Sequence, residues 1–331
     1  MSAVAVLGAG SWGTALAIQL ARRGHQVRLW GHNQNHIDAL GRDRKNTRYL
    51  PDCPFPENIR LSADLSASLT GVEMVLAVVP SHAFASLLQQ IKPYIGKTPF
   101  MWAIKGFEHG TGRLLSEVFF DVIGSHHAYA MLAGPSFAKE VAANKPTAVT
   151  IAASNTALAQ SFGQYFHGSA FLCYTSDDLI GVQIGGAVKN VVAIATGIAD
   201  GLACGANTRA ALITRGLREI TRLAVALGAQ QETLNGLAGL GDLVLTATDD
   251  QSRNRRFGLL LGRGENPEIA KQQIGQVVEG EGATFDTWTL AQRLGVRMPI
   301  TEHLYQILSG QRTLKEAFES LLNRHIKEEQ N

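Results

Sequence analysis

Residues 3–13 have the sequence AVAVLGAGSWG, in which an apolar run leads directly into a glycine-rich turn. The run Ala3–Leu7 is continuously apolar, as is typical of a buried parallel strand. Small and apolar residues over 14–23 predict a helix that Gly24 ends, and residues 26–30 predict a second strand. A strand, a helix and a strand within about thirty residues form the unit from which parallel sheets are built.

The turn after the first strand fits the pattern G-x-G-x-x-G, with Gly8, Gly10 and Gly13 at the fixed positions. The first glycine permits a tight turn, the second lets a pyrophosphate reach the backbone, and the third lets helix and strand pack closely. The start of the helix offers unpaired N–H groups and a positive dipole end to phosphates. Between a strand and a helix this pattern predicts a dinucleotide-binding site, with a purely structural glycine turn as the alternative.

The end of the second strand bears on the choice of dinucleotide. Sites selective for NAD place an Asp or Glu there to accept hydrogen bonds from the ribose. This chain reads Trp30-Gly31-His32-Asn33, so no carboxylate would repel the 2′-phosphate of NADP(H). His32 or Asn33 can donate to that phosphate, which predicts tolerance of, or preference for, NADP(H). The alternative is that His32 is an exposed turn residue without such a role.

The first half of the chain continues to alternate between strand and helix patterns. Four further apolar runs predict strands, namely 74–79, 100–104, 129–133 and 147–152. Helical segments lie between most of them. Strands that alternate with helices imply a mostly parallel sheet with helices on its faces.

From about Asp177 the strand signals largely vanish and long helical patterns follow. Asp177 and Asp178 can cap a helix that runs to about Gly201. We therefore expect an α/β domain over residues 1–180 and an all-helical domain over residues 181–331. Further helices are predicted over about 208–227, from Pro299, and over 317–322 after the capping-box pair Thr313 and Glu316.

Composition limits the class of protein. The chain has 331 residues, of which 45% are hydrophobic, enough for a sizeable core in about two domains. The formal net charge is only +2, which argues against a general nucleic-acid binder. Charged residues make up only 18%, which favours burial of part of the surface in an oligomer.

Cysteine usage and hydropathy limit it further. Cys53, Cys173 and Cys204 are too few and too far apart for a disulfide framework or a structural zinc site. The chain opens on a strand pattern without the basic segment of a signal peptide, which predicts a cytoplasmic protein. The most apolar stretch, 179–203, is interrupted by polar residues such as Lys189, whereas a membrane span needs about 20 nearly unbroken apolar residues.

Three polar features of the second half are hard to explain by packing. Lys189 and Asn190 lie inside the apolar helical pattern, where a cation needs a function unless its head reaches solvent. Asp242 lies in a segment too rich in glycine for a stable helix. Residues 252–256 read Ser-Arg-Asn-Arg-Arg and gather donors suited to a phosphate dianion, with a solvated basic loop as the alternative.

Over essentially its whole length the chain resembles the bacterial NAD(P)-dependent sn-glycerol-3-phosphate dehydrogenases. The motifs that carry the resemblance are 8–15 (GAGSWGTA), 80–82 (PSH), 105–106 (KG), 134–140 (GPSFAKE), 189–190 (KN), 239–242 (GLGD), 251–255 (QSRNR) and 278–280 (VEG). After Gly280 the family usually continues with an aromatic or aliphatic residue, a basic or polar one, and threonine. This chain instead reads EGAT over 281–284, which bears on the cofactor contact expected near Glu279.

The resemblance implies a Rossmann-like α/β N-terminal domain with helices on both faces of its sheet, followed by an all-helical substrate domain. It also implies reversible hydride transfer between NAD(P)H and dihydroxyacetone phosphate, which gives sn-glycerol 3-phosphate for phospholipid synthesis, in a homodimer without a metal. Lys189 matches the catalytic proton-transfer position. The positions expected to contact the cofactor are Gly8, Gly10, Ser11, Trp12, Gly13, His32, Lys105, Ala138, Arg253, Val277 and Glu279. Those expected to contact substrate are Lys105, Gly134, Ser136, Lys189, Asp242, Ser252, Arg253 and Asn254.

The chemistry of ketone reduction agrees with a lysine in this role. When hydride reaches the ketone carbon, negative charge develops on the oxygen, and a protonated Lys189 can stabilise it and then donate the proton. In the reverse direction a neutral Lys189 removes that proton. Burial and a second cation such as Lys105 lower the pKa of Lys189, whereas Asp242 raises it, and the sequence leaves open which effect is larger.

Two other functions are compatible with parts of the pattern. A β-hydroxyacid or ketopantoate-type reductase also pairs a Rossmann domain with a helical one, but its carboxylate substrate would need one planar bidentate Arg. A non-catalytic dinucleotide-binding protein would keep the three glycines, yet it would have no need of Lys189 in an apolar helix.

Overall fold

An eight-stranded sheet forms the N-terminal part of the computed structural model, which describes residues 2–317. The strands are β1 (Ala3–Leu7), β2 (Gln26–Trp30), β3 (Lys45–Asn46), β4 (Leu50–Pro54), β5 (Ile59–Ser62), β6 (Met74–Ala77), β7 (Phe100–Trp102), β8 (Phe107–Glu108), β9 (Arg113–Leu114), β10 (Tyr129–Ala133), β11 (Thr147–Ala153) and β12 (Phe171–Ser176). The order in the large sheet is β12-β11-β10-β7-β6-β1-β2-β5, while β3–β4 and β8–β9 are separate hairpins. Its neighbours are parallel except β10 and β11, so β11 and β12 run against the other six strands.

The mostly parallel sheet is confirmed, but the sequence did not reveal β5 and β12. These strands lie at the two edges of the sheet. Arg60 in β5 and both Tyr174 and Thr175 in β12 are exposed. Because an edge strand is covered on fewer sides, it lacks the continuous apolar run by which a central strand is predicted.

Helices flank the sheet and build the C-terminal part. They are α1 (Ser11–Arg22), α2 (Gln34–Asp43), α3 (Leu65–Leu69), α4 (Ser81–Ile95), α5 (Leu115–Val122), α6 (Ala138–Ala142), α7 (Thr156–Phe166), α8 (Leu179–Gly201), α9 (Gly205–Ala226), α10 (Gln231–Leu234), α11 (Asp242–Thr248), α12 (Arg253–Gly262), α13 (Pro267–Ile274), α14 (Glu279–Leu294) and α15 (Pro299–Leu308). A π-helical turn, Leu237–Gly241, precedes α11.

The predicted helix boundaries are largely met. The Asp178 carboxylate caps α8 by accepting a hydrogen bond from the Gly181 N–H at 2.8 Å. Helix α9 begins a few residues before its predicted start, and α15 begins at its predicted proline. Thr313 and Glu316 form the predicted capping box, in which each main-chain N–H donates to the other side chain, at 2.8 and 3.2 Å. Residues 318–322 of the helix predicted there lie outside the described residues.

The segment before Asp242 is helical, contrary to the expectation that its glycines prevent a stable helix. Leu237–Gly241 forms the π-helical turn, which continues directly into α11. A Cβ at Gly239 would lie 2.1 Å from the Leu234 carbonyl oxygen, so the missing side chain is what permits the tight approach. The turn delivers Asp242 to the start of α11, where its side chain is buried.

Helix α8 is the centre of the C-terminal part, with α9, α11, α12 and α14 packed against it. By length and composition alone its 23 residues are able to cross a membrane, although we expected its polar residues to prevent that. In the structure, 89% of its apolar window is buried inside the protein. The hydrophobicity of α8 is therefore explained by its burial in the core of the protein. Its polar residues alone do not distinguish it from a membrane span.

Helices α8 and α12 meet through glycines, which we call the glycine seam. A Cβ at Gly197 in α8 would lie 2.1 Å from the Arg255 carbonyl oxygen, and one at Gly258 in α12 would lie 2.1 Å from a carbonyl oxygen of α8. At Gly201 and Gly262 a Cβ would lie 2.5 and 2.3 Å from the facing carbonyl oxygens. Since backbone touches backbone, α12 is held against the helix that carries Lys189.

The sheet gathers functional loops at one edge. The strands β1, β6, β7 and β10 are parallel, so their carboxyl ends lie at the same edge. Gly8, Val78, Lys105 and Gly134 follow these strands. The strand order reverses at β1, which has β6 on one side and β2 on the other, and open α/β sheets bind ligands at such a point.

Candidate active site

The turn between β1 and α1 has a geometry that requires glycine. Gly8 has φ +127°, and a Cβ there would lie 2.3 Å from the Val78 carbonyl oxygen. A Cβ at Gly13 would lie 1.9 Å from the Gly8 carbonyl oxygen, so α1 packs directly on the turn. A Cβ at Gly10, by contrast, would meet no atom within 4 Å. The backbone at Gly10 therefore borders open space at the start of α1.

This open space suits the pyrophosphate of a dinucleotide. Helix α1 begins at Ser11, and its first turn contains no acidic residue that would repel an anion. The helix dipole and the unpaired N–H groups favour negative charge there. In the same turn, the indole Nε1 of Trp12 is buried without a hydrogen-bond partner among residues 2–317. The residues of the turn thus fit NAD(P).

The loop after β2 adjoins this turn. The Gly8 N–H donates to the Trp30 carbonyl oxygen at 2.9 Å, and His32 and Asn33 follow on the exposed surface. Asn33 uses its side-chain oxygen to cap α2, accepting from the His36 N–H at 3.0 Å. The capping role leaves the Asn33 amide nitrogen and the His32 ring as the available donors, and the expected tolerance of NADP(H) stays a prediction.

Two lysines share the carboxylate of Asp242. Lys189 Nζ donates to Asp242 Oδ1 at 2.5 Å, and Lys105 Nζ donates to Oδ2 at 2.6 Å. Lys189 also donates to Thr246 Oγ1 at 2.8 Å, and that hydroxyl donates to the Asp242 main-chain oxygen at 2.6 Å. Lys189 is 6% exposed and Asp242 is 1% exposed. These four residues, the lysine cluster, place two cations around one buried carboxylate.

The environment of Lys189 lowers its pKa towards neutral pH. Burial lowers the pKa of the Lys189 ammonium from its ordinary 10.5 to about 8. Asp242 raises this pKa and Lys105 lowers it, but burial is the largest of the three effects. The balance that the sequence left open is thus in favour of a lowered pKa. Such a group can both give and take a proton near physiological pH.

Lys105 connects the sheet to the helical part. It follows β7, and its Nζ donates to the Gly134 carbonyl oxygen at 3.0 Å as well as to Asp242. Ser136 Oγ donates to the same Gly134 oxygen at 2.9 Å. A Cβ at Gly186 in α8 would lie 3.4 Å from Lys105 Cγ, so the lysine stem lies across that helix. Direct contacts therefore join five of the predicted substrate positions, namely Lys105, Gly134, Ser136, Lys189 and Asp242.

The basic turn at the start of α12 divides its donors between two tasks. Ser252 caps α12, its hydroxyl accepting from the Arg255 N–H at 3.2 Å. Arg255 is buried and pairs with Asp200 at 2.6 Å and with Asp250, so it holds the helix in place. Arg253 is half-buried and has no hydrogen-bond or ion-pair partner among residues 2–317. Arg253 is therefore available to an anion, as is the half-buried Arg256, which likewise has no hydrogen-bond or ion-pair partner among residues 2–317.

Asn254 connects α12 to α14. Its Oδ1 accepts from the Gly280 N–H at 2.9 Å, which leaves the amide nitrogen without a partner among the described residues. The same contact sets the position of Glu279, the first residue of α14. The departure from the family pattern is accommodated here, because both oxygens of Glu281 accept from Lys271 Nζ at 3.1 Å. Glu281 thus faces α13.

Three predicted cofactor positions lie apart from the lysine cluster. Ala138 begins α6, Val277 is exposed before α14, and His32 is exposed after β2. Among the described residues, no hydrogen bond or ion pair joins them to the lysine cluster. Their roles stay predictions.

Sequence reasoning missed Thr246. It lies four residues after Asp242 on α11, so the two side chains share one face of the helix. A hydroxyl at this spacing from a buried carboxylate was the available signal. It was hidden because the glycine-rich segment before Asp242 was not expected to lead into a helix. In residues 2–317, no three His, Cys, Asp or Glu side chains are grouped to hold a metal ion.

Comparison with known proteins agrees with this geometry. The family model for the N-terminus of NAD-dependent glycerol-3-phosphate dehydrogenase matches residues 3–159, and that for its C-terminus matches residues 178–319. A relative from Pseudoalteromonas translucida, named as an NAD(P)+ glycerol-3-phosphate dehydrogenase, is 55% identical over 99% of this chain and 98% of its own. A relative of the same name from Bartonella tribocorum is 53% identical over 99% of this chain and 98% of its own.

Solved structures give the same answer. The crystal structure of glycerol-3-phosphate dehydrogenase from Coxiella burnetii is 50% identical, covers 98% of this chain and 99% of its own, and has a TM-score of 0.94. A ketopantoate reductase from Ralstonia eutropha is 17% identical, covers 93% of this chain and 97% of its own, and has a TM-score of 0.61, a likeness of fold alone. The predicted fold class, enzyme class and NAD(P) cofactor are confirmed, and the ketopantoate-type alternative is not supported. The chain belongs to the NAD(P)-dependent glycerol-3-phosphate dehydrogenase family.

Proposed function

We propose that Lys189 is the proton donor and acceptor in reversible hydride transfer between NAD(P)H and dihydroxyacetone phosphate, which gives sn-glycerol 3-phosphate. The observation that carries this proposal is the buried Lys189 ammonium on Asp242, with a pKa of about 8. An apolar helix has no structural need for a buried cation, and its desolvation is costly unless a partner compensates it.

When bound, NAD(P)H supplies the hydride that reaches the ketone carbon. The protonated Lys189 stabilises the negative charge that develops on the ketone oxygen and then donates its proton. In the direction of glycerol 3-phosphate oxidation, the neutral amine takes the hydroxyl proton. Because Lys189 is buried, its interaction with this charge is stronger than it would be in solution.

The other members of the lysine cluster orient the amine. Asp242 and Thr246 each accept a hydrogen bond from Lys189 Nζ, so two of its three hydrogens are directed and one is left for substrate. Lys105 Nζ donates to the second oxygen of Asp242. The single negative charge of this carboxylate is therefore shared between two lysines, and it does not fully compensate the charge of Lys189. The cluster carries an excess of positive charge, which favours an anionic substrate.

We assign the substrate phosphate to the start of α12. A phosphate dianion needs several charge-assisted donors, which Arg253, Ser252 and the Asn254 amide nitrogen provide. Gly134 and Ser136 complete the substrate side, next to Lys105. The residues proposed to hold the cofactor are Gly8, Gly10, Ser11, Trp12, Gly13, His32, Lys105, Ala138, Arg253, Val277 and Glu279.

The remaining proposals concern organisation. A boundary near residue 180 is supported by the end of β12 at Ser176 and the start of α8 at Leu179. A cytoplasmic homodimer that does not span a membrane and supplies phospholipid synthesis is consistent with the family and with the buried α8. A preference for NADPH over NADH rests on the absence of a carboxylate at His32 and Asn33.

The test is the rate of NADPH and NADH oxidation by the purified protein with dihydroxyacetone phosphate, followed by absorbance. Rapid oxidation with a higher kcat/KM for NADPH supports both the reaction and the cofactor preference. Rapid oxidation that is faster with NADH retains the reaction and contradicts the preference. A folded sample that binds NADPH yet oxidises neither cofactor contradicts the proposed reaction. Assay of ketopantoate in parallel measures the carboxylate alternative directly.

A further inference from the structure

One carbonyl oxygen of the dinucleotide turn is held by two side chains from outside the turn. Asn46 Nδ2 donates to the Ala9 carbonyl oxygen at 3.1 Å. His36 Nε2 lies 3.1 Å from the same oxygen and acts as a donor, because a carbonyl can only accept. Ala9 comes directly before Gly10, which borders the open space at the start of α1. The direction of this carbonyl is therefore fixed from behind the turn.

Asn46 also reaches the first turn of α1. Its Nδ2 donates to Thr14 Oγ1 at 2.8 Å, and the Thr14 N–H donates to the Gly10 carbonyl oxygen at 3.0 Å. One amide thus joins the residue before Gly10 to the helix that follows it. Asn46 lies in β3, a strand of the small hairpin outside the large sheet, and it is fully buried.

The Asn46 side chain acts through its two N–H donors. Its Oδ1 is buried and has no hydrogen-bond partner in residues 2–317. A side chain that only filled space at this position would carry no unpaired polar atom, because such an atom is costly in the interior. Both N–H groups, in contrast, point at acceptors around the turn.

We propose that Asn46 is a positioning residue for the dinucleotide. It holds the Ala9 carbonyl, with its partial negative charge, away from the pyrophosphate and leaves the following N–H groups free for the anion. It acts through the backbone and does not itself touch the phosphates. The inference rests on the proposed function, because it takes the turn to be the site of NAD(P)H. His36 supplies a second donor to Ala9, so loss of Asn46 weakens binding without abolishing it.

The test variant is Asn46→Asp, which keeps the shape and replaces the donating NH2 with oxygen. Asn58→Asp is the matched control, because Asn58 Nδ2 donates to the Ala21 and His25 carbonyl oxygens, at 2.8 and 2.7 Å, near the opposite end of α1. The measurements are the dissociation constants of NADPH and NADH by fluorescence titration, and the melting temperature by circular dichroism. The full-length protein is used throughout.

Asn46→Asp is expected to raise the dissociation constants of NADPH and NADH by the same factor, about tenfold to 100-fold. The factor is shared because the pyrophosphate is common to both cofactors. Asn58→Asp is expected to lower the melting temperature while both dissociation constants stay at the wild-type values. Wild-type binding in Asn46→Asp, or equal weakening in Asn58→Asp, would overturn the inference. A wild-type protein that binds neither cofactor would contradict the proposed function instead.

A second pair of variants decides the matter if Asn46→Asp does not fold. Thr14→Val removes the acceptor of one Asn46 hydrogen bond and keeps the size of the side chain, whereas Thr14→Ser keeps the hydroxyl. Weaker binding of both cofactors in Thr14→Val, with recovery in Thr14→Ser, supports the positioning role. Unchanged binding in Thr14→Val contradicts it.

Discussion

The dinucleotide turn and the lysine cluster bind charge by opposite means. The turn, residues 8–13, offers backbone N–H groups. It can form only without side chains at Gly8 and Gly13, because a Cβ at either position would collide with a carbonyl oxygen. The lysine cluster depends on the ionised side chains of Lys105, Lys189 and Asp242, which three separate segments of the chain bring together. A backbone amide does not titrate near neutral pH, whereas Lys189 does. Cofactor binding is therefore a matter of shape, and proton transfer is a matter of electrostatics.

Of the variants proposed here, Lys189→Ala is expected to have the largest effect, and to affect proton transfer without affecting cofactor binding. It is expected to lower kcat about 1000-fold, since a general acid contributes on that order, while the dissociation constant of NADPH changes little. Steady-state NADPH oxidation and fluorescence titration measure the two quantities. Lys92→Ala, which removes an exposed lysine of α4, is the control. Unchanged turnover in Lys189→Ala would remove this residue from the mechanism.

Arg253→Ala tests whether the substrate phosphate is bound by a charged side chain, as the proposed proton transfer depends on charged side chains in the lysine cluster. Loss of a charge-assisted hydrogen bond is expected to raise KM for dihydroxyacetone phosphate about 10-fold to 100-fold. The effect on unphosphorylated dihydroxyacetone is expected to be much smaller, because that molecule lacks the dianion. Arg263→Ala, at the exposed far end of α12, is the control. Equal losses on both substrates would show that Arg253 does not bind the phosphate.

Gly10→Ala tests whether the open space beside the turn is needed for cofactor binding. A methyl group at Gly10 enters open space, so the melting temperature is expected to stay at the wild-type value. The same methyl group occupies the place of the pyrophosphate and is expected to raise the dissociation constants of NADPH and NADH about tenfold. Gly13→Ala, in contrast, is expected to lower the melting temperature as well, because its Cβ meets the Gly8 oxygen. Unchanged cofactor affinity in Gly10→Ala would place the pyrophosphate elsewhere.

The smallest expected difference between the two regions is in their dependence on pH. Reduction of dihydroxyacetone phosphate needs protonated Lys189, so its kcat is expected to fall as pH rises through about 8. Oxidation of glycerol 3-phosphate needs the neutral amine and is expected to rise over the same range. Asp242 raises the pKa of Lys189, so Asp242→Asn is expected to move both inflections to lower pH. A dissociation constant of NADPH that followed the same inflection would contradict the separation.

The two regions also differ in how far the sequence predicts them. The turn is defined by neighbours in the chain, since Ala3–Leu7, three glycines and an amphipathic helix follow one another, and its fold was predicted in detail. The lysine cluster needs α11 to face α8, and that depends on the close approach of Gly239 to Leu234. Local propensity counts Gly239 only as a helix breaker. Thr246 was missed for the same reason.

Two of the three arginines of the basic turn show a further limit of prediction from sequence. Arg253 and Arg255 are two residues apart and chemically identical, so the sequence groups them as phosphate donors. In the structure Arg255 is held by Asp200 at the end of α8, whereas Arg253 is unpaired among residues 2–317. Only tertiary packing decides which of two like side chains is already occupied.

The glycine seam fixes how far apart the two halves of the site can be. Because Gly197 and Gly258 bring the backbones of α8 and α12 into contact, no deformable side chain lies between them. The backbones that carry Lys189 and Arg253 are therefore spaced by van der Waals contact. A methyl group at either glycine would meet a carbonyl oxygen of the facing helix and push α12 away from α8. The distance between the proton donor and the proposed phosphate site thus depends on positions that have no side chain.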